Sequence, residues 1–167
     1  NINELEYSAL NHYQILKNIK ISNKKKFFIE DYDKNLLLTG STGIFGILSK
    51  KDLHSLDKEY QIKILKSNIK QFNINDIKDT LITNNKFFVS ASELNIKEKC
   101  YKLVILSSKL ENNFKFKKIF STSECIQNVI AGKMAGLNFE NNKGILFSTG
   151  DDDNEEKSLA QNKNSLF

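Results

Sequence analysis

Three stretches of the chain share one pattern of apolar and polar positions. "NLLLTGS" (35–41), "KFFVSAS" (86–92) and "GILFSTG" (144–150) each carry three apolar residues into three small or hydroxyl-bearing ones. A polar turn precedes each: "EDYDK" (30–34), "TNN" (83–85) and "ENNK" (140–143). Before each turn lies another apolar stretch: "FFI" (27–29), "TLI" (80–82) and "GLNF" (136–139). Short Asn/Asp turns between apolar runs are hairpin chemistry, because these residues tolerate left-handed backbone angles. Each unit is therefore expected to be strand, tight turn, strand, small-residue turn. Further strands are expected over "GIFGILS" (43–49), "YQIKILK" (60–66), "EKCYKLVIL" (98–106) and "NFKFKKIF" (113–120). The last of these alternates as a half-buried strand should.

The central residues Leu37, Phe88 and Leu146 of the three stretches lie 51 and 58 positions apart. Four antiparallel strands repeated at such a spacing are the plan of a propeller blade. Residues 134–153, "MAGLNFENNKGILFSTGDDD", resemble the core of a WD40 repeat; residues 27–48 resemble the same pattern, and 80–106 follow it more loosely. The chain has no Trp, no repeat opens on Gly-His, and the spacing exceeds the usual 40–45 residues. The resemblance implies an all-β chain of antiparallel four-stranded blades, approximately 23–66, 75–120 and 129–167. A closed propeller takes typically 4–8 blades, so the chain, which opens on Asn, is expected to be part of a longer one. It also implies a non-catalytic intracellular scaffold for protein–protein contacts in a larger assembly. Tyr32, Phe45 and the 151–156 loop are the candidate contact residues.

The N-terminus reads two ways. "YQILKNIKI" fits an outer strand, whereas Leu5, Ala9, Tyr13 and Leu16 fall on one helical stripe. The helical alternative gives an α+β chain, a helix on an antiparallel sheet. It resembles a pilin-like subunit with its membrane half removed and a Cys100–Cys125 disulfide.

Composition narrows the classes. Of 167 residues, 40% are hydrophobic and 27% charged, which suits a folded chain rather than a disordered one. No apolar run approaches the roughly 20 residues of a membrane helix, and no membrane insertion is expected. The net charge of +5 comes from Lys spread along the chain. That reads as compositional drift and leaves RNA or a ribonucleoprotein as a further class of partner. The block "NKKKFF" (23–28) reads as a solvated strand edge, where lysines also block unwanted pairing. Two cysteines and two isolated histidines, His12 and His54, supply neither a zinc site nor a nucleophile–base set. Proline is absent, so turns fall to Gly, Asn, Asp and Ser.

Three chemical motifs compete with turn chemistry. "LLLTGSTGIFG" (36–46) places Gly40, Gly43 and Gly46 at the spacing of a dinucleotide-binding turn. Such a turn needs a helix behind it and an acid at a second strand end. "IFGILSKKDLHSLD" has no helical stripe of adequate length, and Asp57 and Glu59 follow no strand. "FFIEDYDKNLL" resembles the motif of haloacid-dehalogenase-type phosphatases. That likeness implies Asp31 as nucleophile, Asp33 as general acid, and Ser107 or Ser108 as the hydroxyl. Lys133 would face the phosphate, with Asp151 and Asp152 holding Mg²⁺. The alternative for "EDYDKN" is a hairpin turn. Finally, Asp151, Asp152, Asp153, Glu155 and Glu156 form an acidic run without EF-hand spacing, which reads as a solvated loop.

Overall fold

The computed structural model describes residues 26–54, 62–123, 125, 131–139 and 142–149. The described chain is antiparallel β throughout, apart from two 3₁₀ turns at Lys50–His54 and Ile69–Phe72 and one short parallel pairing. A first meander runs through β1 (Phe27–Tyr32), β2 (Asn35–Gly40), β3 (Phe45–Ser49) and β4 (Lys63–Ser67). A second runs through β5 (Ile74–Thr83), β6 (Lys86–Asn95) and β7 (Cys100–Lys109). After β8 (Asn113–Phe114) it continues into β9 (Lys117–Ser121), which pairs with β7. A hairpin of β10 (Met134–Phe139) and β11 (Asn142–Phe147) follows. No helix among the described residues is long and apolar enough to cross a membrane. The N-terminal stripe of Leu5 to Leu16 lies outside the described residues.

The runs of three apolar residues on β2 and β6 have a physical reason, which the run on β11, with Leu146 exposed, does not share. A strand covered on one face alternates, whereas one covered on both faces reads as a continuous apolar run. On β6, Phe87, Val89 and Ala91 join the core against the first sheet. The intervening Phe88, Ser90 and Ser92 are also buried, on the other face. There Ser90 donates its hydroxyl to the Gly132 carbonyl, and Phe88 lies opposite Phe147 across a groove. On β2, Leu37 enters the same core, while Leu38 packs with Leu48 in a second cluster on the outer face.

The core between the two sheets is built on four phenylalanines. Phe45 meets Phe87 edge-on at 5.8 Å and Phe114 at 5.3 Å, and Phe116 completes the set. Phe45, expected among the contact residues, is thus buried and cannot meet a partner. It is the first residue of β3, and its side chain follows the inward face of that strand.

The turns follow the residues that permit them. Asn84 and Asn85, at φ 51° and 55°, form the two-residue loop between β5 and β6. That matches the hairpin turn in which both central residues are left-handed. Asp33 (φ 53°) does the same work between β1 and β2. In "TGSTG" the Gly43 amide donates to the Gly40 carbonyl at 2.9 Å, with Gly43 at φ 85°. Strand β3 follows at once, so these glycines open no helix. Gly46 lies within β3, where a Cβ would come to 2.5 Å from the Ile62 Cγ2.

One expected strand is divided. Residues 113–120 do not lie in a single sheet: β8 pairs in parallel with β4 of the first sheet, and β9 pairs with β7 of the second. Between them Phe114 and Phe116 both enter the shared core. Asn68 holds the crossing. Its amide donates to the Phe114 carbonyl at 3.2 Å and its side-chain Nδ2 to the Phe116 carbonyl at 3.1 Å. Its Oδ1 accepts from the Phe116 amide at 2.8 Å.

Candidate functional site

Strand β5 contacts both β1 and β10, so the first strands of three successive units adjoin in chain order. The ionisable residues cluster along this seam. In β1, alternation turns Phe28, Glu30 and Tyr32 to one side, and Phe28 and Tyr32 pack on the core. Glu30 is therefore a carboxyl set between two inward aromatics. Strand β5 carries two irregularities in its pairing with β6, between Ile74 and Asp76 and between Ile77 and Asp79. Each adds a residue and redirects the side chains that follow.

The Thr80 hydroxyl donates to Glu30 Oε1 at 2.8 Å across β1 and β5. Asp79 Oδ2 accepts the Met134 amide at 2.8 Å, which joins β5 to β10. Its other oxygen lies 3.6 Å from Lys133 Nζ, and that ammonium also sits 5.7 Å from the centroid of the Phe28 ring. Lys78 and Asp76 pair at 3.2 Å, both largely buried. Burial pushes the Glu30 carboxyl above its ordinary range, and the charge of Asp79 adds to this. Hydrogen bonds from Thr80 and Ile82 oppose it. The seam thus places a carboxyl of raised proton affinity beside an ion-paired carboxylate. It can hold a proton or bind a cationic or hydrogen-bonding group. No nucleophile with an aligned base is found among its described residues.

The residues expected for phosphoryl chemistry are not assembled there. Asp31 is exposed and pairs with Lys50 at 2.7 Å, and Asp33 occupies a left-handed turn. The Ser108 hydroxyl donates to the Lys109 carbonyl and accepts the Lys115 amide. Ser107 lies on β7 opposite Phe88 and Lys117. Lys133 serves Asp79 instead. Tyr32 packs on the core at the edge of a shallow depression beside Asn84 and Asn85. His54 ends a 3₁₀ turn. His12, Asp57, Glu59 and the acidic run from Asp151 to Glu156 lie outside the described residues.

Cys100 and Cys125 form a disulfide with their Cα atoms 5.6 Å apart. Glu98 lies close to both sulfurs, but bonded sulfurs offer no thiolate to a metal. No protein-family model, no curated protein and no solved structure matches the chain.

The seam was legible in part. A glutamate on the inward phase of "FFIEDY" is a signal, because a charge on a buried face needs a partner. Its partner Thr80 is 50 residues away and carries no such mark.

The raised proton affinity of Glu30 has a sign that can be checked. Above its ordinary 4.5 the folded state holds more protons at this site than the unfolded state. The stability linked to the group is complete below that value and falls as pH rises through the higher folded one. Glu30→Gln removes the titration and keeps an oxygen for Thr80. Its Tm is expected to exceed that of the parent near pH 7 and to lose the advantage by about pH 4. An equal gain at both pH values would show that the charge of Glu30 is not the cause.

Proposed function

We propose that the chain is a run of WD40-like propeller blades and acts as a non-catalytic scaffold for protein–protein contacts in a larger assembly. One observation carries the reading: the first strands β1, β5 and β10 adjoin in chain order, as the inner strands of successive blades must. The stacking of the second sheet between the first sheet and the β10–β11 segment supports it, since blades pack face to face. In such a scaffold rigid sheets hold connecting loops in place, and partners read the loops.

The Cys100–Cys125 disulfide favours a second reading, a pilin-like structural subunit. The recurrence of the meander favours the blades. Far-UV circular dichroism separates the two: blades give a β-dominated spectrum, and a helical fraction near a third would sink them. The same sample tests catalysis. No Mg²⁺-dependent hydrolysis of p-nitrophenyl phosphate is expected. Hydrolysis that disappears in Asp31→Asn would overturn the non-catalytic reading.

A further inference from the structure

Four of the described lysines have carboxylate partners and a larger number do not; five of the latter gather at one surface. Lys50, Lys78, Lys118 and Lys133 have carboxylate partners. Lys86, Lys109, Lys115, Lys117 and Lys143 make no ion pair among the described residues, and all five border one surface. This surface has two adjoining parts that share Lys86 and Ile119. One is a groove of about 440 Å³ between Phe88, Ile105 and Phe120 of the second sheet and Ile145 and Phe147 of the hairpin. The other is a depression of about 470 Å³ bordered by Lys109, Lys115, Lys117 and Ser107. Glu111 is the one acid on either lining.

Lys86 and Lys109 stand directly opposite each other on β6 and β7. Like charges at such positions destabilise a sheet. Lysines do protect sheet edges from unwanted pairing, and Lys117 on the edge strand β9 fits that role. Strand β6 is interior to the sheet, so edge protection does not account for Lys86, whereas β9 pairs with β7 only as far as Ser107 and leaves Lys109 open on that side. A ligand that brings negative charge would compensate both.

We propose that this groove binds an acidic peptide segment, with its carboxylates on the lysine rim and an apolar side chain against Ile119 and the groove wall. The wall is aliphatic and aromatic, and Ile119 is 55% exposed. Phe120 and Phe147 meet at 4.7 Å with their rings inclined at 54°, and both are half-buried. The exposed apolar residue of the lining is the aliphatic Ile119, not an aromatic platform of the kind that single-stranded RNA stacks on. That favours a peptide over a nucleic acid. The proposal rests on the scaffold reading above and names the partner chemistry at one surface.

The test uses the whole chain and a short fluorescein-labelled peptide of alternating Glu and Leu, followed by anisotropy. Labelled oligouridylate of matched charge is titrated alongside. Salt-sensitive binding of the peptide is expected, weakened about tenfold or more in Lys86→Glu. That variant also replaces a like-charge pair by an opposite one, so its Tm is expected to rise by about 1–3 °C. A gain in stability with a loss of binding excludes misfolding as the cause. Ile119→Ser, at an exposed position, is expected to weaken the peptide and leave Tm nearly unchanged. Peptide binding that is absent, or unaltered in both variants, overturns the proposal. Oligouridylate binding as tight as the peptide overturns it too. Phosphatase activity lost in Asp31→Asn would remove the scaffold reading while leaving this titration readable, so the two fail separately.

Discussion

Replacing Phe87 by Ala is expected to remove about 3–5 kcal/mol of stability, as large-to-small changes at fully buried aromatic positions do. The side chain is fully buried and stands 5.1 Å from Phe114 and 5.9 Å from Phe116, ring centre to ring centre. It comes from the second sheet and meets Phe45 from the first, so the cavity would open where the sheets are joined. Domains of this kind hold about 5–15 kcal/mol in all, and such a loss leaves little in reserve. Urea denaturation reads it directly as a fall in midpoint. A fall worth under about 1 kcal/mol would mean that the sheets do not close on this ring. Because Phe87 and Phe114 touch, the double variant is expected to cost less than the sum of the singles.

Breaking the Cys100–Cys125 disulfide is the second large effect. The two residues are separated by 25 positions, and a loop of that length is worth roughly 3–4 kcal/mol through the unfolded chain. Joint replacement of both by Ser is expected to lower Tm by roughly 6–15 °C. Reduction of the parent protein should reproduce the loss, and reduction of the double variant should do nothing. Two free thiols in the unreduced parent would contradict the bond. Such bonds persist in oxidising compartments, which sets the disulfide against the intracellular location that the WD40 resemblance implies.

The strands and their turns were legible because local chemistry decides them. Asn84–Asn85 and Asp33 took the left-handed positions that their residue types permit. The apolar triplets of β2 and β6 marked strands buried on both faces, and the structure stacks layers on either side of β6, whereas the triplet of β11 leaves Leu146 exposed. The misreadings came from long-range packing. "NFKFKKIF" alternates like one strand, but Phe114 and Phe116 are drawn into a core made by other strands, and the segment divides between two sheets. Phe45 lies in the strand expected over 43–49, but it faces inward and is buried, so it is not the contact residue it was expected to be. The disulfide could not be decided from two cysteines, since pairing depends on where the chain returns after β9. The seam joins Glu30 to Thr80 by a side-chain bond between two sheets, 50 residues apart, and the lysine groove joins Lys86 to Lys109 by register, 23 residues apart; no local pattern encodes either.

The Asn68 clamp separates the unit of sequence repetition from the unit of folding. Residue 68 follows the first meander, yet three of its hydrogen bonds hold the far end of the second at Phe114 and Phe116. Those two rings then fill the space left by the first sheet. Neither meander is self-sufficient: cut between them, the first loses its floor and the second its anchor. Deleting or transplanting one meander alone is therefore expected to expose the shared core at Phe114 and Phe116. Any rearrangement that preserves the structure has to move both meanders together.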